Sequence, residues 1–197
     1  DKNTIMMSDL DGIDENYHKI YRTNYIDHIN QYPPRAHSRL HPIIYNQTHG
    51  CTLLFSRVCF DEVGLFDEKK LVAQDFEFFY RAFLKFPHKL IPRILVTARD
   101  SSNRQGRRSK SRGDKEYSKL FIKIIESLTD EEVKLLAPSR LDFYSDMANF
   151  FRDAEYSIAA EFIRRQMLSN LQISSYDLVG NRFNGHELHF YLREKGI

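Results

Sequence analysis

The stretch AQDFEFFYRAFLKF, residues 73–86, decides how the first half of the chain is read. Phe76, Phe79, Tyr80, Phe83 and Phe86 fall at i, i+3, i+4, i+7 and i+10, so the spacing predicts an amphipathic helix over 75–86. Pro87 ends it, because proline has no amide to donate and its ring clashes with the preceding turn. Two carboxylates, Asp75 and Glu77, interrupt the aromatic run. Glu77 stands four residues before Arg81, the spacing of an ion pair on a helix surface. Asp75 falls where the helix begins, and there a carboxylate stabilises the exposed amides of the first turn.

Upstream of this helix, CTLLFSR (51–57) is a short apolar run after Gly50 and predicts a buried strand, while VCFDEVG (58–64) predicts one amphipathic turn closed by Gly64. Near the start, Ile5 to Met7 predict a strand, the polar SDLDGIDEN a turn near Gly12 or Asn16, and Tyr17, Ile20 and Tyr21 a second short strand. Residues 22–42 contain Pro33, Pro34 and Pro42 and read as a connector, with a short helix near Tyr25 to Ile29. Downstream, a strand is expected around Ile94 to Thr97, followed by a polar loop with five basic residues from Arg104 to Arg112. From Tyr117 onward the pattern is helical. Thr129 with Glu132 matches a capping box, and Ser139 with Asp142 marks another helix start.

Composition sets the class. The 197 residues are 42% hydrophobic and 28% charged with a net charge of +2, which excludes a disordered chain and gives no sign of a polyelectrolyte partner. No apolar run approaches the ~20 residues of a membrane-spanning helix. Cys51 and Cys59 are too few for a disulfide framework and point to a reducing compartment, the cytoplasm. The first residue is Asp1 and not Met, as expected of a chain cut from something longer or processed.

Four elements in order, HGCTLL (His49 to Leu54), FDEVGLFDE (Phe60 to Glu68), QDFEFFYR (Gln74 to Arg81) and IPRILVTAR (Ile91 to Arg99), resemble the second half of the catalytic domain of family 2 glycosyltransferases. These are inverting enzymes of GT-A type that use nucleotide-activated sugars. Upstream, MMSDLDGIDENYHKI is similar to the preceding family strand, so the resemblance covers about residues 4 to 105. It implies an α/β fold: a partial GT-A domain, the acceptor-side half, over 1–113, followed by a helical C-terminal segment over 114–197. It also implies that Asp75 is the general base that takes the proton of the acceptor hydroxyl, with the aromatic face of its helix as the anchor. His49, Gly50, Gln74, Glu77, Arg81 and Arg99 are the substrate-binding candidates, Glu77 being a structural residue or an acceptor contact with Arg81 as its partner. Gln74 stands where many family members have Glu.

The same resemblance implies a nucleotide-sugar donor, a sugar, lipid or protein acceptor, and a divalent cation, Mg or Mn, in the full enzyme. The family's donor-binding half, with the Asp-x-Asp that holds this cation, has no counterpart in the chain. Its main ligands are therefore not expected here, and the missing N-terminal half of the same enzyme becomes the expected partner. Alone, the chain is expected to be poorly active. The Asp9-x-Asp11 pair lies on the later strand and is not assigned to metal. Arg99 is followed by Asp100 and Ser101, where the family often has Arg-x-His. The basic loop Arg104 to Arg112 suits phosphate oxygens or solvent equally.

Other patterns carry less. His37, His41, His49 and Cys51 fit no zinc-finger spacing, HELH at 186–189 lacks the second His at i+4, and Asn46-Gln47-Thr48 is a glycosylation acceptor only in a secreted protein. One basic cluster without interleaved aromatics does not make a nucleic-acid site, and no nucleic acid is expected as a partner. The alternative to catalysis is a non-catalytic interaction module derived from a glycosyltransferase.

Overall fold

The computed structural model describes residues 3–99 and 110–170. It is a mixed α/β structure with one four-stranded mixed sheet and, among the described residues, eight α-helices. Contacts divide the chain into two compact units, Asp1–Gly113 and Asp114–Ile197.

Strand β1 (Ile5–Ile13) is the centre of the sheet and runs well past the expected end at Met7. Asp9 and Asp11 lie in the strand and not in a turn, because they alternate with buried Ser8, Leu10 and Gly12 at the two-residue period. The turn comes later, where Oδ1 of Asp14 accepts from the amides of Asn16 and His18, each at 2.8 Å. Strand β2 (Lys19–Arg22) then returns antiparallel, with Tyr21 opposite Gly12. A Cβ on Gly12 would stand 2.2 Å from the Tyr21 ring, so only glycine fits beneath it.

The far edge of β1 pairs in parallel along its length with β4 (His88–Arg99), which is also longer than the expected Ile94 to Thr97. The register jumps from Ser8 opposite Ile91 to Asp9 opposite Ile94. Pro92, which has no amide for the ladder, sits in that irregularity. The run at 51–57 does not form the expected buried strand. It forms a 3-10 turn (Gly50–Thr52) and a two-residue strand β3 (Leu53–Leu54) opposite Met6 and Met7, with Leu54 68% exposed. The next stretch of that edge is taken by Thr23, whose Oγ1 accepts from the Leu10 amide at 2.8 Å and whose amide donates to the Leu10 carbonyl at 3.1 Å.

Between these strands lie α1 (Tyr25–Gln31), a 3-10 turn (Pro33–His37), α2 (His41–Ile44) and α3 (Arg57–Val63). Helix α4 (Gln74–Lys85) follows the aromatic spacing, and Phe76, Phe79, Tyr80 and Phe83 are buried. Phe78, off that stripe, is completely buried as well. The rings of Phe55, Phe60 and Phe66 stand 5.2, 4.7 and 4.8 Å from it, so α3 and the segments flanking it cover a second side of the helix.

The second unit is helical throughout its described part. Helix α5 (Lys110–Ser127) begins before the expected Tyr117, α6 (Asp130–Leu136) carries both halves of the Thr129 and Glu132 capping box, and α7 (Arg140–Asp153) is capped by Ser139. Helix α8 (Ser157–Asn170) starts at a carboxylate far away in sequence: Asp114 accepts from the Ser118 hydroxyl at 2.9 Å and from the Ser157 hydroxyl. Phe121, Ile124, Phe143, Met147, Phe151 and Ile163 form the core of this unit. The cluster from Arg104 to Arg108, Asp100 with Ser101, and the HELH motif lie outside the described residues.

Candidate functional site

Only Phe86 and Pro87 join α4 to β4, and the Pro87 carbonyl accepts from the Ile5 amide at 2.9 Å. The helix therefore has its C-terminus at the amino ends of β1 and β4 and is about 18 Å long at ~1.5 Å per residue. Gly50 precedes the antiparallel Leu53, which pairs with Met7, so it lies further along β1, and it adjoins Phe79 in mid-helix; by that contact the first turn, with Gln74 and Asp75, lies towards the carboxyl ends of the two parallel strands. In open α/β sheets ligands bind at that end.

Asp75 is exposed in that first turn. Its Oδ1 accepts from the Phe76 amide at 2.7 Å, and its Oδ2 has no hydrogen-bond partner among the described residues. The helix has no side-chain cap at Ala73, so Asp75 supplies the negative charge its first turn favours and still presents one oxygen outward. Gln74 is exposed beside it.

Glu77 lies on a different side of the helix and is half-buried. It holds Arg81 through both oxygens, Nε to Oε1 at 2.9 Å and Nη2 to Oε2 at 3.0 Å. Arg81 also donates from Nη1 to the Val63 carbonyl and from Nη2 to the Leu65 carbonyl at 2.8 Å. Those carbonyls flank Gly64, whose φ of 81° closes α3. One guanidinium thus ties the end of α3 to the middle of α4, with four contacts spread over its fork of N–H groups. The i,i+4 pair is visible in the sequence. The carbonyl contacts, 16 and 18 residues away, are not.

His49 precedes the 3-10 turn, and its carbonyl accepts from the Thr52 amide and hydroxyl, both at 2.9 Å. A Cβ on Gly50 would meet the Phe79 ring at 3.6 Å, so this turn rests on α4 one helical turn beyond Asp75. Arg99 ends β4 opposite Ile13 and is exposed. It donates to the Tyr17 hydroxyl at 2.8 Å with its guanidinium carbon 4.9 Å from that ring's centroid. The structure brings Gly50 to the helix that carries Asp75, with His49 next to it in sequence, and it commits Arg99 to Tyr17. Nothing in the sequence signalled that last pairing, across 82 positions.

The other pair of carboxylates is tied to the segment that follows β2 and to β2 itself, Asp9 through one oxygen and Asp11 through both. Oδ1 of Asp9 accepts from the Thr23 hydroxyl at 2.9 Å and the Tyr25 amide at 3.3 Å. Asp11 receives Arg22 at 2.7 and 3.0 Å and Lys19 at 3.1 Å, and the Arg22 guanidinium holds its carboxyl well down, to about 2. Among the described residues no three His, Cys, Asp or Glu side chains stand close enough to share a metal ion.

Comparison with known proteins now bears on these residues. Along its whole length the chain is 24% identical to an uncharacterized glycosyltransferase of Rickettsia prowazekii, covering 59% of that protein. Over 93% of its length it is 27% identical to an uncharacterized glycosyltransferase of Rickettsia bellii, covering 26% of it. Over 73% it is 29% identical to one of Rickettsia conorii, covering 24%. The chain is similar to proteins named as glycosyltransferases. It spans about a quarter to three fifths of the length of these relatives. No family model matches it, and no solved structure matches it. Among the described residues, no helix is long and apolar enough to cross a membrane.

Proposed function

We propose that the chain is the acceptor-side half of a GT-A glycosyltransferase domain of family 2, followed by a helical segment, and that Asp75 is its general base. In this reading Asp75 takes the proton of an acceptor hydroxyl as that oxygen attacks the anomeric carbon of a nucleotide-diphosphate sugar. The bond from that carbon to the diphosphate breaks, the nucleoside diphosphate leaves with the electron pair, and the configuration inverts. The observation that carries the reading is the exposed carboxylate of Asp75, with one oxygen unpaired among the described residues, at the start of a helix whose other carboxylate is fully bound to Arg81. The relationship to glycosyltransferases and the position towards the carboxyl ends of β1 and β4 support it.

Gln74, His49 and Gly50 are the candidates for contact with the acceptor or the sugar, and Arg99 is a candidate only by exchanging its contact with Tyr17. Arg81 and Glu77 act as positioning residues, because they hold the Val63 and Leu65 carbonyls at the start of the loop that leads into Asp75. The divalent cation expected with a nucleotide sugar does not fit the described residues, since Asp9 and Asp11 are both bound to protein partners. Any such cation takes its ligands from outside them. The remaining length of the relatives is the natural source of a donor-binding half, and cytoplasmic nucleotide sugars are the natural donors.

The test is a panel of nucleotide sugars and acceptors incubated with this chain and with any longer polypeptide that carries it. Release of nucleoside diphosphate, with a product of inverted anomeric configuration by NMR, is the expected outcome for the longer polypeptide. A retained configuration, or no release with any donor, would overturn the reading.

A further inference from the structure

Residues 22–42 read from the sequence as a proline-broken connector, yet they bury a cluster of imidazoles. Helix α1 contributes Tyr25 and His28, the 3-10 turn Arg35, α2 His41, its end Tyr45, and β4 His88. His41 is completely buried and stacks on His28, the ring centroids 4.9 Å apart and the planes at 17°. Its Nε2 lies 2.7 Å from Nδ1 of His28, a contact that has room for one proton and not two. On the other side, Nε2 of His88 lies 3.0 Å from the Tyr25 hydroxyl. Nδ1 of His41 and Nδ1 of His88 are both buried without a partner.

The surroundings oppose added charge. The Arg35 guanidinium is buried over the Tyr45 ring at 4.5 Å and donates to the His28 carbonyl at 3.1 Å and the Tyr45 hydroxyl at 3.2 Å, so a fixed positive charge already adjoins the pair. Helix α4 presents the Phe83 ring to His88 at 5.2 Å and takes Arg39 on the Leu84 carbonyl. The carboxylates on the adjoining elements have other partners: Asp9 on β1 accepts from the backbone amide of Tyr25, and the Asp27 carboxylate on α1 accepts from the Asn24 side-chain amide. Among the described residues no carboxylate bonds to any of the three imidazoles.

We infer that this cluster is an acid-sensitive latch, which holds α1 and α2 against α4 and β4 while its imidazoles are neutral and releases them when protons are supplied. Burial pushes all three histidines down, His28 and His88 to about 4 and His41 to about 2, with Arg35 adding to the effect on His28 and His41. An opened segment binds protons near the ordinary histidine value of about 6.5, and the closed one does not until about pH 4. Between those limits the open state holds more protons, so acidification favours opening, by about tenfold per pH unit for each imidazole released. The latch secures one flank of the helix that carries Asp75, but the inference does not depend on what Asp75 does.

Native-state hydrogen exchange on the whole chain tests it. Opening constants for residues 25–45, corrected for intrinsic exchange, are expected to rise more than about a hundredfold from pH 7 to pH 5. His41→Phe, which keeps an aromatic ring but removes one titrating group, is expected to weaken that rise by about tenfold per pH unit below 6.5. No rise in the wild type, or an equal rise in the variant, overturns the latch. Should the variant fail to fold, ring-carbon titration of the wild type decides. The His28, His41 and His88 signals are expected to stay in their neutral positions from pH 7 to pH 5, and midpoints near about 6.5 for these rings would overturn it.

Discussion

Strand β1 and helix α4 each carry two carboxylates two residues apart, Asp9 with Asp11 and Asp75 with Glu77. In the strand a spacing of two places both on one face, and both are answered by the neighbouring segment, Asp9 by Thr23 and Asp11 by Lys19 and Arg22. In the helix the same spacing turns the second group about 200° from the first. Glu77 is thereby directed towards the end of α3, where Arg81 holds it, while Asp75 stays at the open end of the helix. The difference shows why an Asp-x-Asp reads as a metal or catalytic pair only once its backbone is known. Both members of the strand pair hold the neighbouring segment in place, whereas in the helix pair Glu77 holds a side chain and Asp75 only the amide next to it.

The comparison can be broken most severely by removing what keeps α4 in place. Phe78→Ala leaves a void at a completely buried position among Phe55, Phe60 and Phe66 and is expected to cost about 3 to 5 kcal/mol in urea unfolding. A loss below about 1 kcal/mol would mean that the second covered side of α4 is not packed as described. Arg81→Ala leaves the half-buried Glu77 and the carbonyls of Val63 and Leu65 without their donor, at an expected cost of about 1 to 3 kcal/mol. Faster tryptic cleavage at Lys69 and Lys70 should accompany it, since the loop they occupy loses its tie.

Asp11 offers a gentler probe. Its carboxyl is expected to titrate near 2 by NMR, so the stabilisation it draws from Arg22 is present above the ordinary carboxylate range and fades as pH falls towards that value. Arg22→Ala should return the midpoint towards the ordinary range, and an unmoved midpoint would remove Arg22 as the cause. The smallest effect on folding is expected at Asp75. Asp75→Asn keeps an acceptor for the Phe76 amide and loses only charge at the helix start, so unfolding should shift by less than about 1 kcal/mol.

What the sequence made legible follows from the range of each signal. The aromatic period around Phe79 gave α4 almost to the residue, and the Thr129 and Glu132 capping box gave the start of α6, because both are short-range patterns with one physical reading. By composition strand β1 reads too short because Asp9 and Asp11 are turn formers, while the family resemblance places them on a strand, and pairing along β4 shows them in the ladder. The run at 51–57 reads as a buried strand because its apolar residues carry no record that Thr23 takes the adjoining part of the edge. The histidine cluster was invisible for the same reason. His28, His41 and His88 belong to three elements, and no local pattern joins them.

The central claim is that Asp75 is spared by the fold because it serves the reaction. The most direct measurement is the turnover of a nucleotide sugar by Asp75→Asn relative to wild type, in whichever polypeptide carrying this chain is active, with the unfolding midpoints of the two compared in the same buffer. The account predicts a loss of about 10²- to 10⁴-fold with an unmoved midpoint. Turnover within a few-fold of wild type in a fully folded variant would contradict it.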